Sequence, residues 1–190
     1  MPSPALKIID ELKLNSKSLF IDLGAGAGEE ISVCLEKGVP IHSFEPNPVL
    51  YINLRDYYGP DNSKFVLHNL AAWNENSSRR LYAKGSFNDN GGCTLYKTKA
   101  NVGKNFVEIN TIDIGQYILN LDRKIDVLKI DTEGAEYTIL DRLLESNAIN
   151  LVDRIFIEDH SRKMPSKSWR QHRLEVIDKY KAINYPILSW

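Results

Sequence analysis

Two groups of ionisable residues in this 190-residue sequence each follow an apolar run, at the point where a buried strand would end. One group comes after residues 125–130 and the other after residues 152–157. Because the carboxyl ends of neighbouring parallel strands meet at one edge of a sheet, we expect the two groups to lie close together. Together they would form a cluster of four carboxylates and one histidine: Asp131, Glu133, Glu136, Glu158 and His160.

Such a cluster has the side chains that general acid–base chemistry uses. His160 and Asp131 are the candidate bases, and we favour His160 because the ordinary pKa of histidine lies nearer neutrality. Lys129 lies two residues before Asp131, so its side chain would point to the same side of the strand. The alternative is structural: Asp131 or Thr132 would cap the helix that follows, and Glu133 and Glu136 would interact favourably with the positive end of its dipole.

A glycine-rich turn predicts where a ligand would lie. Gly24, Gly26 and Gly28 follow an apolar run at alternate positions, whereas a dinucleotide-binding fingerprint has glycines at relative positions 1, 3 and 6. Glu29 and Glu30 lie in the first turn of the following helix and would repel a pyrophosphate, and Asp22 lies just before the turn. A carboxylate there suits a ligand with an ammonium group and no phosphate, such as S-adenosylmethionine. The alternative is a turn that binds nothing.

Further cofactor-binding residues are predicted at the ends of the second and third strands. Glu45 ends the run 39–44, where an acidic residue accepts hydrogen bonds from ribose hydroxyls. Asn69 and Ala71 follow the run 64–68, where an adenine ring would lie if Glu45 binds the ribose. Asn69 would meet the edge of the ring, and the small side chain of Ala71 leaves space beside it.

Apolar runs that alternate with helical patterns predict an α/β fold of the Rossmann-like class, with a mostly parallel sheet and helices on both faces. We expect one domain over residues 1–190, with a lead-in helix within 1–18 and a β-hairpin-type insertion at 73–110. Residues 85–92 form a polar loop in that insertion, which is either a lid over the site or a surface loop. We expect a helix from residue 111 to about 122 and a short last strand over 187–190.

Composition favours a cytoplasmic protein without a general attraction to nucleic acid or membranes. The net charge is −1, so nothing attracts the whole chain to nucleic acid or to an anionic membrane. The two cysteines match no metal-binding spacing, and the sequence shows neither a membrane span nor a signal-peptide pattern. Basic residues from Arg162 to Arg173 are either a solvated helix face or a rim that attracts an anionic substrate.

With these residues in place, the chain resembles the FkbM family of S-adenosylmethionine-dependent methyltransferases. Four motifs carry the resemblance, together with Asn110–Asp113: Phe20–Gly28, Phe44–Pro48, Asp126–Glu136, and Glu158-x-His160. The resemblance implies a class I methyltransferase fold and O-methylation of sugars or other natural-product hydroxyls. It also implies that Asp22, Gly24 and Gly26 hold the methionine portion of the cofactor, that Glu45 holds the ribose, and that Asp131 lines the methyl-transfer edge.

The sequence thus predicts an S-adenosylmethionine-dependent O-methyltransferase acting on a small molecule, an anionic sugar or nucleotide-sugar being one candidate. On the acceptor side we expect Lys129, Glu133, Glu136, Glu158 and Arg162. We assign no metal site, and the participation of a metal at the carboxylates stays open. Three alternatives also stay open: an RNA or nucleotide methyltransferase, which the basic stretch with Trp169 would favour, a nicotinamide-dependent oxidoreductase, and a binding module without catalysis.

Overall fold

The structure is a computed structural model that describes residue 9 and residues 11–59, 62–88 and 92–189. The strands are β1 (Phe20–Leu23), β2 (Ile41–Phe44), β3 (Phe65–His68), β4 (Ala71–Trp73), β5 (Ser78–Tyr82), β6 (Phe106–Asp113), β7 (Val127–Ile130), β8 (Ile155–Ile157) and β9 (Ile187–Ser189). The α-helices are α1 (Glu29–Glu36), α2 (Pro48–Tyr58), α3 (Ile114–Asn120), α4 (Glu136–Glu145) and α5 (Lys167–Ala182). Two short 3₁₀ helices span Ala148–Leu151 and Ser161–Lys163.

Six of these strands form one sheet in the order β3-β2-β1-β7-β8-β9. Every neighbouring pair in this sheet is parallel. The strand order reverses between β1 and β7, and in open α/β sheets ligands bind at such a switch point, outside the carboxyl ends of the strands. The predicted α/β fold of the Rossmann-like class is confirmed.

The central strands are apolar because both faces of the sheet are covered. Ile21 and Leu128 point into one core, which α3, α4 and α5 cover. Phe20 and Val127 point into a second core, which contains buried residues of α1 and α2. This alternation explains why the strands appear in the sequence as continuous apolar runs, as is typical of parallel sheets.

The insertion forms a second, three-stranded sheet in the order β4-β6-β5. Strands β5 and β6 pair antiparallel and β4 pairs parallel with β6, which agrees with the predicted hairpin-type insertion. The helix predicted from residue 111 begins later, because β6 continues to Asp113, whose side chain accepts a hydrogen bond from the Gln116 amide and caps α3.

Parts of two predicted segments lie outside the described residues. In the predicted lead-in helix these are residues 1–8 and 10, whereas Ile9 is described and is buried against the second core. In the predicted lid they are residues 89–91. The last strand is present as β9, while residue 190 is outside the described part. Within the described part of the chain, no helix has the length and hydropathy needed to cross a bilayer.

Candidate active site

A cavity of about 140 Å³ lies at the carboxyl ends of β1, β2 and β7, where the strand order reverses. Residues of the insertion, such as Leu81 and Cys93, complete its wall. Six of the predicted site residues line it: Gly24, Gly26, Glu45, Ala71, Asp131 and Glu133. The fold therefore brings the glycine turn and two members of the carboxylate cluster, Asp131 and Glu133, to one cavity.

Two glycines of the turn have different surroundings: Gly24 lies close to the Asp131 backbone, and the space beside Gly26 is open. A Cβ atom on Gly24, where φ is +93°, would lie 1.9 Å from the carbonyl oxygen of Asp131. The ends of β1 and β7 therefore fit together only with glycine at this position. At Gly26, where φ is +53°, a Cβ atom would meet no described heavy atom within 4 Å. Since Gly26 lines the cavity, a ligand can approach its backbone closely.

Glu45 connects the end of β2 to the glycine turn. Its two carboxylate oxygens accept hydrogen bonds from the backbone amides of Gly26 and Asn47, each at 2.8 Å. Burial raises the pKa of Glu45 to about 7, although these two hydrogen bonds favour the ionised form. Asn69 does not line the cavity, and its side-chain amide instead donates to the Glu45 carbonyl at 2.8 Å. Asn69 thus supports the Glu45 backbone.

A buried ion cluster lies behind the turn. Lys129 pairs with Asp22 in the register of β1 and β7, and its ammonium donates to an Asp22 carboxylate oxygen at 2.9 Å and to the Gly24 carbonyl at 3.0 Å. Glu30 and Asp131 approach the same ammonium at 3.6 and 3.9 Å. Burial would lower the pKa of Lys129, but the surrounding carboxylates outweigh burial and raise it.

This cluster changes the roles expected for two residues. Asp22 is fully buried and does not line the cavity, so it binds Lys129 where a direct contact with the cofactor was predicted. Lys129 is 3% exposed and holds the turn through the Gly24 carbonyl, where an acceptor-side position was predicted. Both residues lie beneath the cavity floor because their side chains alternate onto the α1 side of the sheet.

Glu30 also belongs to this cluster, whereas the sequence analysis treated it only as a negative charge in the first turn of the helix. It lies in the first turn of α1 and is 4% exposed. A signal was available, because Cys34 lies four residues later on the same helix face and is fully buried. A glutamate on the buried face of a helix beside an acidic strand end indicates a buried cation, and Lys129 is that cation.

His160 lies in a pocket of carboxylates and does not line the cavity. Its Nδ1 atom is 2.9 Å from Glu136 Oε1, and its Nε2 atom is 3.1 Å from Glu133 Oε2 and 3.4 Å from Glu158 Oε1. Burial alone would lower the pKa of His160, but Glu133 and Glu136 outweigh burial and raise it to about 10. The imidazole therefore keeps its proton near neutrality, unlike the neutral base that the sequence analysis favoured.

Glu136 and Glu133 take different positions beside His160. Glu136 is fully buried and accepts a hydrogen bond from the Gly134 amide at 2.9 Å, so it supports the histidine from below. Glu133 has a left-handed backbone with φ of +55°, which is uncommon for a glutamate and directs its side chain along the cavity wall. Burial opposes ionisation of Glu133, but His160 and Lys99 lower its pKa to about 2.

Lys99 is a residue that the sequence analysis missed. It comes from the insertion, is 7% exposed and forms an ion pair with Glu133. No local pattern in the sequence indicates this contact, because the loop that carries Lys99 reaches Glu133 only in the folded chain. The insertion thus contributes a charge to the carboxylate cluster.

The side chains of the basic segment after His160 differ in their exposure. Arg162 is exposed, whereas Arg173 forms an ion pair with Asp159 at 2.6 Å. Trp169 is 7% exposed and its indole N–H donates to the Gly134 carbonyl at 3.0 Å. Trp169 is therefore a packing residue of α5, and its ring is not available to stack on a nucleobase.

A family model of the methyltransferase FkbM domain matches residues 22–180 of the chain. The match begins within β1 and ends in α5, so it includes every residue of the cavity and of the His160 cluster described above. Neither the comparison with curated proteins nor the comparison with solved structures gave a match.

Proposed function

Because the chain belongs to the FkbM methyltransferase domain family, we propose that it transfers a methyl group from S-adenosyl-L-methionine to a hydroxyl group of a small molecule. Membership of this family supports methyltransferase activity in general. The choice of S-adenosylmethionine, of an oxygen acceptor and of a small molecule is our proposal. The observation that supports it best is that Asp131 and the glycine turn line one cavity.

The cavity residues fit the proposed methyl donor. Gly26 leaves its backbone open to a ligand, and Glu45 lies beside it at the end of β2, as the ribose assignment requires. The hydroxyl of Thr132, which also lines the cavity, is a buried polar group without a hydrogen-bond partner among the described residues. When bound, S-adenosylmethionine supplies a methyl group on a positively charged sulfur, which an acceptor oxygen displaces to leave a neutral thioether.

Asp131 is our candidate for the residue that contacts the acceptor. Its side chain is 28% exposed and lines the cavity, whereas the side chain of His160 is 1% exposed and lies behind Glu133. The Asp131 carboxylate would accept the proton of the hydroxyl group whose oxygen takes up the methyl group. We therefore assign the acceptor contact to Asp131 and a positioning role to His160, which holds Glu133 in place.

A screen of methyl transfer tests this proposal. The wild-type protein is incubated with S-adenosylmethionine carrying a labelled methyl group and with sugars, nucleotide-sugars and RNA in separate reactions. We expect labelled product with a hydroxyl-bearing small molecule, and Asp131→Asn should reduce turnover by roughly 10²–10⁴-fold. The matched control is Asp141→Asn, since Asp141 pairs with Lys179 away from the cavity.

Two outcomes would contradict the proposed reaction, and a third would contradict the role of Asp131. Labelling of RNA alone, with an affinity that falls steeply with salt, would indicate the nucleic-acid alternative. Binding of a reduced nicotinamide dinucleotide in fluorescence titrations, without binding of S-adenosylmethionine, would indicate the oxidoreductase alternative. Equal turnover of Asp131→Asn and Asp141→Asn would exclude Asp131 from the acceptor contact.

A further inference from the structure

One ring nitrogen of His160 is fixed, and the other faces carboxylates. The fixed nitrogen is Nδ1, whose N–H donates to the buried Glu136 carboxylate at 2.9 Å. In a neutral imidazole that arrangement leaves a lone pair on Nε2. Nε2 lies 3.1 Å from Glu133 Oε2, yet it is buried and has no hydrogen bond of good geometry to any described residue. Without a proton, Nε2 would direct this lone pair at carboxylate oxygens, so the site needs a positive charge at this point: either the Nε2 proton or a metal cation in its place.

Three side chains place ligand atoms around this point. Asp131, Glu133 and His160 each offer one atom, and these atoms all lie within 4.8 Å of one another. Ligand atoms bound to one ion at about 2.0–2.2 Å lie about 3–4.4 Å apart, so small side-chain movements would bring all three onto a common ion. Glu158 Oε1 lies 3.4 Å from Nε2 and is near enough to be a fourth ligand.

We propose that Asp131, Glu133 and His160 bind a divalent cation of the Mn²⁺ and Zn²⁺ type. An imidazole nitrogen selects against Mg²⁺ and Ca²⁺, which prefer oxygen ligands, while the carboxylates suit Mn²⁺ and Zn²⁺. Glu136 would be the outer carboxylate, because a metal-binding histidine usually donates its other N–H to a carboxylate and is thereby oriented. The fully buried Glu136 occupies that position beside Nδ1.

Lys99 is the natural competitor of such an ion. Its ammonium contacts Glu133 Oε2, the same oxygen that faces His160 Nε2. Lys163 lies 3.8 Å from that oxygen and adds further positive charge. A bound cation would displace or repel the ammonium of Lys99, so removing this charge should tighten cation binding.

The role of the ion rests on the proposed function, whereas its binding does not. The ion would lie beside Asp131 at the cavity wall, where we place the acceptor hydroxyl. A hydroxyl oxygen bound to a divalent cation loses its proton more readily than a free one. The ion would therefore favour acceptors that present a hydroxyl at this wall.

The test measures metal binding in the absence of any methyl donor. The full chain is freed of metal with a chelator and titrated with Mn²⁺, and free Mn²⁺ is measured by electron paramagnetic resonance. We expect one saturable site per chain, and spin-echo modulation of the bound ion should show a directly coordinated imidazole nitrogen. Calorimetry with Zn²⁺ should give the same stoichiometry. No saturable site for either ion, or bound Mn²⁺ without nitrogen coupling, would overturn the proposal.

Three variants sharpen the test, with folding checked by circular dichroism. His160→Gln should weaken Mn²⁺ binding at least tenfold and abolish the nitrogen coupling. His172→Gln is the matched control. His172 Nε2 lies 3.1 Å from Asp141 on the far side of α4, so this substitution should not change the affinity for Mn²⁺. Lys99→Met should tighten Mn²⁺ binding. Equal affinities of wild type, His160→Gln and Lys99→Met would show that a proton alone lies between His160 and Glu133.

The two proposals fail separately. A protein that binds no metal but methylates a small molecule contradicts only the cation site. A protein that binds Mn²⁺ through His160 but transfers no methyl group to any acceptor contradicts only the proposed function.

Discussion

Glu45 shows how one carboxylate can organise a ligand site. Both of its oxygens accept backbone hydrogen bonds, from Gly26 and from Asn47, so the side chain joins the glycine turn to the start of α2. Burial opposes its ionisation and raises its pKa to about 7. The unfolded chain loses this proton near the ordinary pKa of glutamate, 4.5, whereas the ligand-free fold keeps it up to about 7. The contribution of Glu45 to stability therefore falls as the pH rises from 4.5 to 7 and is constant above that range.

The first prediction concerns the pH dependence of cofactor binding at Glu45. Ionised Glu45 accepts hydrogen bonds from hydroxyl groups better than the protonated form, so the affinity for S-adenosylmethionine should increase as the pH rises from 6 to 8. Glu45→Gln should weaken binding by about 1.5–3 kcal/mol at pH 8 and remove the pH dependence. Calorimetric titration at several pH values measures both effects. Glu108→Gln, at an exposed position of β6, is the control, and equal affinities of the two variants would contradict the ribose assignment.

At the scale of the elements, the site depends on how closely β1 approaches β7. Gly24 and the Asp131 backbone are in contact, and the Gly24 amide donates to the Phe44 carbonyl at the end of β2. Lys129 adds a hydrogen bond from β7 to the Gly24 carbonyl. The turn is therefore held by three neighbouring strands, and the position of each strand end affects the cavity.

The second prediction tests this close approach with Gly24→Ala. The added methyl group would lie 1.9 Å from the Asp131 carbonyl oxygen, so the ends of β1 and β7 must move apart. Gly59→Ala is the matched control, because Gly59 also has a positive φ, +76°, but a Cβ atom there would meet none of the described heavy atoms within 4 Å. The control should lose only about 1–3 kcal/mol of unfolding free energy, because residues with a Cβ atom rarely adopt its backbone conformation, with φ of +76° and ψ of 152°.

Gly24→Ala should lose clearly more unfolding free energy than this control and should also lose affinity for S-adenosylmethionine. Urea denaturation and calorimetry measure the two quantities. Equal losses of stability in the two variants, together with normal cofactor binding by Gly24→Ala, would show that the turn tolerates a side chain.

The third prediction concerns Asn47, which connects α2 to the insertion. Its carboxamide oxygen accepts from the Val49 amide and caps α2, while its NH₂ group donates to the Phe87 carbonyl at 2.8 Å. Serine keeps the cap but is too short to reach Phe87. Asn47→Ser and Asn47→Ala should therefore both speed hydrogen exchange at residues 86–88.

Only Asn47→Ala should also lose about 1 kcal/mol of unfolding free energy, because it alone removes the cap. Unchanged exchange at residues 86–88 in both variants would show that Asn47 does not hold the insertion loop. The wider idea that residues 85–92 close over a bound ligand stays a prediction, and residues 89–91 of that loop are outside the described part.

At the scale of the whole molecule, the sheet, the helices and the insertion converge on one edge. The carboxyl ends of β1, β2 and β7 form the cavity wall, and the insertion closes it with Leu81 and Cys93. A ligand in this cavity would contact elements from both halves of the sheet at once. Ligand binding should therefore stabilise the whole fold, because unfolding would require its release.

The fourth prediction is a thermal shift that is selective for the methyl donor. At a concentration one hundred times its Kd, S-adenosylmethionine should add about 2.7 kcal/mol to the unfolding free energy. For a domain of this size that corresponds to an increase in Tm of about 5–11 °C. Reduced nicotinamide dinucleotide is the comparison ligand and should give no shift. A larger shift with the nicotinamide ligand would favour the oxidoreductase alternative.

Local patterns in the sequence were sufficient for most of the architecture. Apolar runs and helical periodicity predicted the parallel strands and most of the helices, because the elements of this fold bury regular faces. The positions of Gly24, Gly26 and Glu45 beside one cavity followed from the rule that ligands bind at the carboxyl ends of parallel strands. The FkbM resemblance, confirmed by the family match, rested on the same strand ends.

Only the folded chain decided which charges meet and which side chains face the cavity. Lys129 binds Asp22 across 107 positions of sequence, and Lys99 reaches Glu133 across 34. His160 faces Glu133 and Glu136 behind the cavity wall, although its position at a strand end was compatible with contact to a substrate. Burial, pKa and the neighbours of an ionisable group depend on contacts between distant segments, and local sequence patterns do not specify those contacts.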